Sequence, residues 1–489
     1  MTLPAHEHAL PQTGLVPPPG CPAHAAAGPG GTARLYGPAA ETDPMGLYEE
    51  LRAAHGPVAP VLLDGDVRAW LVLGYSENRD VATRSTQFSR DPRVWHGWST
   101  GEIDPATSPL MPMIGWRPDC VCADGEEHQR LRSAVTASLD QFDHRGIRRR
   151  INRFAHELID TFCENGEAEL VDRFTEHLPM LTLIHLLGMS DEEAPKLVQA
   201  ARDLFKATET SLASNAFVVQ SLEQLVRDKR VLPGPDIASA LMSHPAGLSD
   251  EEVVHHLRLI LLAGYETTAN LMSNVLRMVV TDPRFRGSLA GGQMTLPEAV
   301  EQVLWDEPPL MVCPSRYANG DTTLGGQQIR AGDMLLLGLA AGNMDRAVRP
   351  DPEAPVHHNR AHLSFSAGSH ECPGQDIGRI IADTGIDILL TRLPDIVLAV
   401  PEESLTWRSS TWARHLTALP VTFAPRAPRT HQFEAPLPTA PAPHAVGVPP
   451  LAPVPEPEAT PAAVPPRPAG RTGAGRSWWE RLLRALRLR

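Results

Sequence analysis

The rhythm of apolar and polar positions changes several times along this chain, and the changes mark its parts. Residues 1–35 are rich in Pro, Gly, Ala and His without any periodic apolar pattern, which predicts a disordered N-terminal arm. From Asp43 the pattern becomes structural. PMGLYEELRAAHG carries the spacing of a short amphipathic helix, and VRAWLVLG has strand character. Between residues 126 and 280 helical spacing dominates, broken by Gly, Pro and Asp. EEVVHHLRLILLAGYETTANLMSNVLRMVV is the longest apolar run with that spacing, and about 30 residues of helix would span roughly 45 Å, a whole domain. Short strands and turns follow over 310–340, and helix returns at 374–392. The class predicted is mainly α with a small β-rich side.

After Phe423 the rhythm stops. Residues 425–468 hold 15 of the chain's 48 prolines, which predicts an extended linker over 425–475. The last segment, 476–489, is RSWWERLLRALRLR. On a helical wheel Trp478, Trp479, Leu482, Leu483 and Leu486 share an arc of about 140°, with the arginines opposite. Such a basic amphipathic helix suits an anionic membrane surface, a partner protein or the chain's own body, and it is too short to span a bilayer.

Charge separates the same parts. Lys+Arg 44 against Asp+Glu 58 gives −14 overall, while the segment from 425 onward carries nine Arg and four Glu, leaving −19 on the body. An acidic body argues against nucleic acid as the main partner. The first residues have neither a basic n-region nor an apolar h-region, so a cytoplasmic protein is expected, with the end helix as a route to the inner face of the membrane. The six cysteines are scattered, and Cys120-Val-Cys122 alone is at most half a metal site.

The strongest chemical signal is HLSFSAGSHECPGQDIGR, 362–379. Cys372 sits in a loop bearing Gly, Ser and Pro just before a helix, where amide N–H groups and the helix N-terminus favour a thiolate. Taken alone, a buried structural cysteine explains it equally well. Phe365, Gly368, His370, Cys372 and Gly374 together, however, resemble the haem-binding loop of the cytochrome P-450 superfamily, F-x-x-G-x-H-x-C-x-G. The resemblance spans about 40–424 and continues in Ala263-Gly264-Tyr265-Glu266-Thr267-Thr268 within the long apolar run, and in His128 and Arg132, four apart on one helical face. It implies that Cys372 is the axial ligand of the iron of haem b. His128, Arg132, Arg316 and His370 would answer the haem propionates, and Glu266 and Thr267 would form the proton path, over the haem, where the family's helix is locally opened. The fold implied is the cytochrome P-450 architecture over 36–424. The activity implied is monooxygenation of a small apolar organic substrate, with electrons from NAD(P)H passing through a ferredoxin and ferredoxin reductase. The loop between Arg90 and Asp119, with Trp95, Trp98 and Trp116, together with Val312, Cys313 and the Trp412 turn, is expected to line the pocket.

Two departures qualify the resemblance. The family's E-x-x-R appears here as Gln302 and Trp305 in AVEQVLWDEPPL, and Ala354 stands at the arginine that normally completes this buried ion network. Losing one member would strand a buried charge, whereas losing all three permits a repacked neutral version. Some actinomycete members carry the same E-Q-x-L-W phrase. The missing triad and the basic tail also motivate another reading, a haem-binding sensor or scaffold subunit at a membrane. The other departure is Ser366, at a loop position where the family usually has Gly. If that position requires a positive φ, serine is strained there.

Overall fold

The computed structural model describes residues 31–429 except 106, 109, 191–192, 206–209, 293, 352–353, 355 and 357–358. The expected N-terminal arm lies almost wholly, and the terminal basic helix wholly, outside the described residues, as does most of the linker. The described chain begins slightly before the span 36–424 assigned to the domain. Ala33–Arg34 pairs in parallel with Val61 and Leu62, and Arg34 holds Asp66 at 2.7 Å. It also ends later, since Arg426 donates its amide to the Cys163 carbonyl at 2.8 Å.

The apolar run over 250–280 folds as one helix, Asp250–Thr281, of 32 residues. Ser249 and Glu252 close a capping box at its start, and Asp250, Glu251 and Glu252 place negative charge in its first turn. Asp282 ends it by capping the next helix, Pro283–Ala290. Because this helix is apolar on most faces, other helices must cover it. His177–Leu187, Ser211–Val231 and Gln375–Arg392 do so, and its side chains join the largest core cluster. Close packing with Gln375–Arg392 depends on glycine: a Cβ at Gly385 would meet Leu178 Cδ2 at 2.4 Å and Met272 Cε at 3.1 Å.

The β-rich side is a six-stranded sheet in the order 33–34, 58–63, 67–72, 334–338, 312–318, 88–89. Val58–Leu63 and Val67–Val72 form a hairpin, and Met334–Gly338 bridges that hairpin to Val312–Ala318. Two smaller apolar clusters seal this side. Trp95 and Trp98 belong to one of them, edge to face at 5.0 Å, and Trp95 is 2% exposed. They pack the loop's interior. Trp116 is exposed, beneath Arg93 at 4.9 Å. A separate hairpin, Trp407–Ser409 with Arg414–Leu416, lays its second strand against the long helix. Among the described residues no helix is long and apolar enough to cross a membrane.

Candidate functional site

The cysteine loop is built by short-range bonds. Gly368 has φ 74°, and a Cβ there would lie 2.6 Å from the Ala82 carbonyl oxygen, so only glycine lets the loop rest on the Tyr75–Thr83 helix. Ser366 adopts φ 62° and ψ −157°, a region essentially reserved for glycine, which confirms the expected strain. Its amide still donates to Leu363 O at 2.6 Å, while the Cys372 amide donates to Phe365 O at 2.9 Å and fixes the turn. Burial raises the Cys372 thiol, and the Gly374 amide, then Arg132 and Arg379, pull it back towards thiolate. Cys120 and Cys122 are both buried, Cys122 Sγ lies 3.8 Å from Gly115 O, and they join no metal-binding group among the described residues.

Next to this loop the structure gathers cations around one carboxylate. His128 and His370 stack with ring centroids 4.0 Å apart, and neither Nε2 atom has a hydrogen-bond partner. Arg316 is 2% exposed and donates only to its neighbour's carbonyl, Ser315 O, at 3.3 Å. Burial, then Arg90, depresses its guanidinium to about 9. Arg90 was not singled out in the sequence; it is buried and donates to the Val121, Pro314 and Ser315 carbonyls. The single acid is Asp124, 3.6 Å from His370 Nε2. Burial raises it, but His370, Ser89 and the Arg90 amide outweigh burial and bring it to about 2. Burial holds His370 down at about 3 and His128 below its ordinary value, so both rings are neutral, and two buried guanidiniums, Arg90 and Arg316, are left against one carboxylate: the cluster lacks negative charge. A group carrying two carboxylates, as haem does, fits that deficit. Arg132, whose charge acts on His128, joins the cluster to the cysteine loop by donating to Glu371 O.

Glu266 and Thr267 lie on adjacent positions of the long helix. The helix is continuous through them, so the expected local opening is not seen. Thr267 Oγ1 donates to Ala263 O at 2.7 Å, which leaves its lone pairs free to accept. Glu266 Oε1 meets His415 Nδ1 at 2.7 Å, and the same Nδ1 lies 2.8 Å from Asn270 Oδ1. Burial, then Arg408, lowers His415 to about 4. A cavity of about 280 Å³ adjoins Glu266, lined also by Asp172, Glu176, Arg202, Arg408 and His415.

The missing triad proves to be replaced. Gln302 Oε1 accepts the Val356 amide at 3.1 Å and its Nε2 donates to Asp306 at 2.8 Å, while Trp305 Nε1 donates to Asn359 O at 2.7 Å. Ala354 is exposed and takes no part. The region is not neutral, however. Arg349, 6% exposed, pairs with Asp306 at 2.6 Å and lies 5.9 Å from the Trp305 ring. One residue before Gln302, Glu301 binds His362 Nε2 at 2.9 Å and Arg379 Nε at 2.6 Å, tying its helix to both ends of the cysteine motif. The signal was present in His362 and Arg379, which bracket that motif.

No protein-family model matches the chain. Individual relatives do. The chain is 30% identical over 387 residues to 2-hydroxy-5-methyl-1-naphthoate 7-hydroxylase of Streptomyces carzinostaticus, covering 76% of this chain and 93% of that protein. It is also 30% identical over 392 residues to mycinamicin IV hydroxylase/epoxidase of Micromonospora griseorubida, covering 77% and 95%. Among solved structures, CYP154A1 from Streptomyces coelicolor A3(2) superposes with a TM-score of 0.71 at 27% identity, over 78% of this chain and 98% of that one. Myxobacterial cytochrome P450 CYP267B1, in complex with myristic acid, gives 0.72 at 26% identity, over 80% and 98%. Cysteine loop, cation cluster, acid–alcohol pair and these likenesses converge: the chain belongs to the cytochrome P-450 superfamily and is a haem b monooxygenase supplied with electrons from NAD(P)H through redox partners.

Proposed function

We propose that the protein inserts one atom of dioxygen into a C–H bond or double bond of a small, apolar organic molecule, with a ferredoxin and its reductase delivering the electrons singly. The excess of buried cations around Asp124, beside a cysteine loop of the right form, carries this reading. Haem, when bound, supplies the oxygen activation and the electron storage. The chain's own residues do the rest. Cys372 would ligate the iron, the Arg316 and Arg90 guanidiniums would balance the propionate charge, and the neutral His128 and His370 rings would offer N–H donors, with Arg132 holding the cysteine loop at Glu371 O. Thr267 Oγ1, its proton committed to Ala263 O, accepts hydrogen bonds on the pocket side, and Glu266 passes it protons. The relatives act on a naphthoate and on mycinamicin IV, which supports a lipophilic substrate class. The exposed arginines of RGIRRR, 145–150, offer an acidic ferredoxin a docking surface. From its sequence, 476–489 is assigned an anionic membrane surface.

The sensor or scaffold alternative rested on the missing charge triad and the basic tail, and the Arg349–Asp306 and Glu301–Arg379 pairs answer the first of these. Turnover under ¹⁸O₂ with NADPH, ferredoxin and reductase tests the proposal. One labelled atom is expected in the product and one in water. Thr267→Ala and Glu266→Gln should each lower product formed per NADPH about tenfold or more. Unchanged coupling in both variants would refute the proton path.

A further inference from the structure

Glu266 is gripped by a residue that lies far from it in sequence. His415, on the strand Arg414–Leu416, places Nδ1 2.7 Å from Glu266 Oε1 and 2.8 Å from Asn270 Oδ1. Both neighbours are acceptors at those atoms, so the proton on the ring belongs on Nδ1, which donates to Asn270 Oδ1 with Glu266 Oε1 in contact beside it. The other nitrogen, Nε2, has no partner among the described residues, and His415 lines the polar cavity. That cavity also touches Ala269, Asn270 and Ser273, so it runs along the helix face centred near Glu266. Thr267 lies about 100° further round the helix. Glu266 therefore stands between the cavity and the face that bears Thr267.

We propose that His415 is a positioning residue for Glu266 that also relays its protons, taking a solvent proton at Nε2 through water in the cavity as it gives the one on Nδ1 to the Glu266 carboxylate. The transfer balances without any other reagent: one proton enters the ring, one leaves, and the imidazole returns to neutrality as the other tautomer. This proposal rests on the monooxygenase reading, because only a reaction that consumes protons gives the relay work to do.

The surroundings suit the task. From the long helix, Tyr265, Glu266 and Asn270 face the imidazole's cavity; from the other elements come Asp172, Glu176, Arg202 and Arg408. Arg202 is neutralised by Asp172 at 2.7 Å and by Glu176, so neither acid competes for His415. Burial and Arg408 keep the imidazole neutral at pH 7, the state that can both accept and donate. A purely structural histidine would need only the donor.

That difference supplies the test. Holoenzyme, ferredoxin and reductase oxidise NADPH without added substrate, and the rate is compared in H₂O and D₂O for wild type, His415→Gln and His415→Phe. Gln keeps an N–H donor towards Glu266 but cannot relay; Phe removes both functions. The expected result is an approximately tenfold lower rate with a larger solvent isotope effect in His415→Gln, and at least as large a loss in His415→Phe. Haem content and the carbon monoxide band should match wild type in both. Wild-type behaviour of His415→Gln overturns the relay, whether or not His415→Phe is impaired. If wild type itself forms the thiolate-haem band but oxidises no NADPH, the monooxygenase reading fails first and the relay falls with it.

Discussion

Two buried charge clusters flank the cysteine loop, and they are built on opposite principles. Around Glu301 the acid touches its buried cation directly, a contact-matched pair. One acid, 4% exposed, binds Arg379 and His362, and Arg360 approaches at 3.5 Å. Around Asp124 the cations do not touch the acid: Arg90 and Arg316 give their guanidiniums to backbone carbonyls, while Asp124 Oδ2 takes Ser89 and the Arg90 amide. Burying a charge is tolerable when it is paired and costs several kcal/mol when it is not. A matched cluster holds the fold together. A mismatched one, kept next to a metal-binding cysteine, marks where negative charge from another molecule belongs.

Substitutions should separate the two clusters. Glu301→Gln strands Arg379 in the matched cluster and is expected to cost about 3–5 kcal/mol, read as a lower urea midpoint with or without haem. Arg316→Met in the mismatched cluster should do the reverse. It removes an uncompensated cation, so the haem-free protein should be equally stable or more stable by up to about 2 kcal/mol. Haem transfer to an acceptor apoprotein should be faster by about tenfold or more. Equal destabilisation by both variants would erase the distinction.

Acid should act on a third kind of group, histidines buried in their neutral form. Burial lowers His177 and His415 to about 4, below the 6.5 of an exposed imidazole. The unfolded chain therefore binds more protons between those values, and each histidine loses stability as pH falls from 6.5 towards 4, on the order of 2 kcal/mol apiece. Urea midpoints at pH 7.5 and 5 should differ accordingly, and His177→Phe should reduce the difference. The smallest effect concerns the loop between the clusters. Ser366→Gly relieves the φ 62° strain and should stabilise by about 1 kcal/mol, raising the melting temperature.

What the sequence revealed follows from range. The long helix, its acidic first turn and the cysteine loop are written in contiguous residues, so periodicity and motif were enough to find them. Ser366 was legible as a strained position because glycine has a specific backbone use. Arg90 was not, because its meaning comes from Pro314 and Ser315, which are remote in sequence. His415 was hidden for the same reason: its partner Asn270 is 145 positions away. The neutral repacking expected at Gln302 and Trp305 was right for those side chains. It missed Arg349–Asp306, since nothing local shows that an arginine after the Leu339–Asn343 helix turns inward. Tryptophan content in the loop at 90–119 could not separate pocket from core by itself, and Trp95 and Trp98 sit edge to face against the core.

The central claim is that the mismatched cluster and Cys372 together hold a thiolate-ligated haem. The most direct measurement is the absorption spectrum of purified, haem-supplied protein, reduced and exposed to carbon monoxide, with Cys372→Ser alongside. The account predicts a Soret band at ~450 nm in the wild type and its loss in the variant. A band at ~420 nm in both, or no Soret band in the wild type, would contradict it.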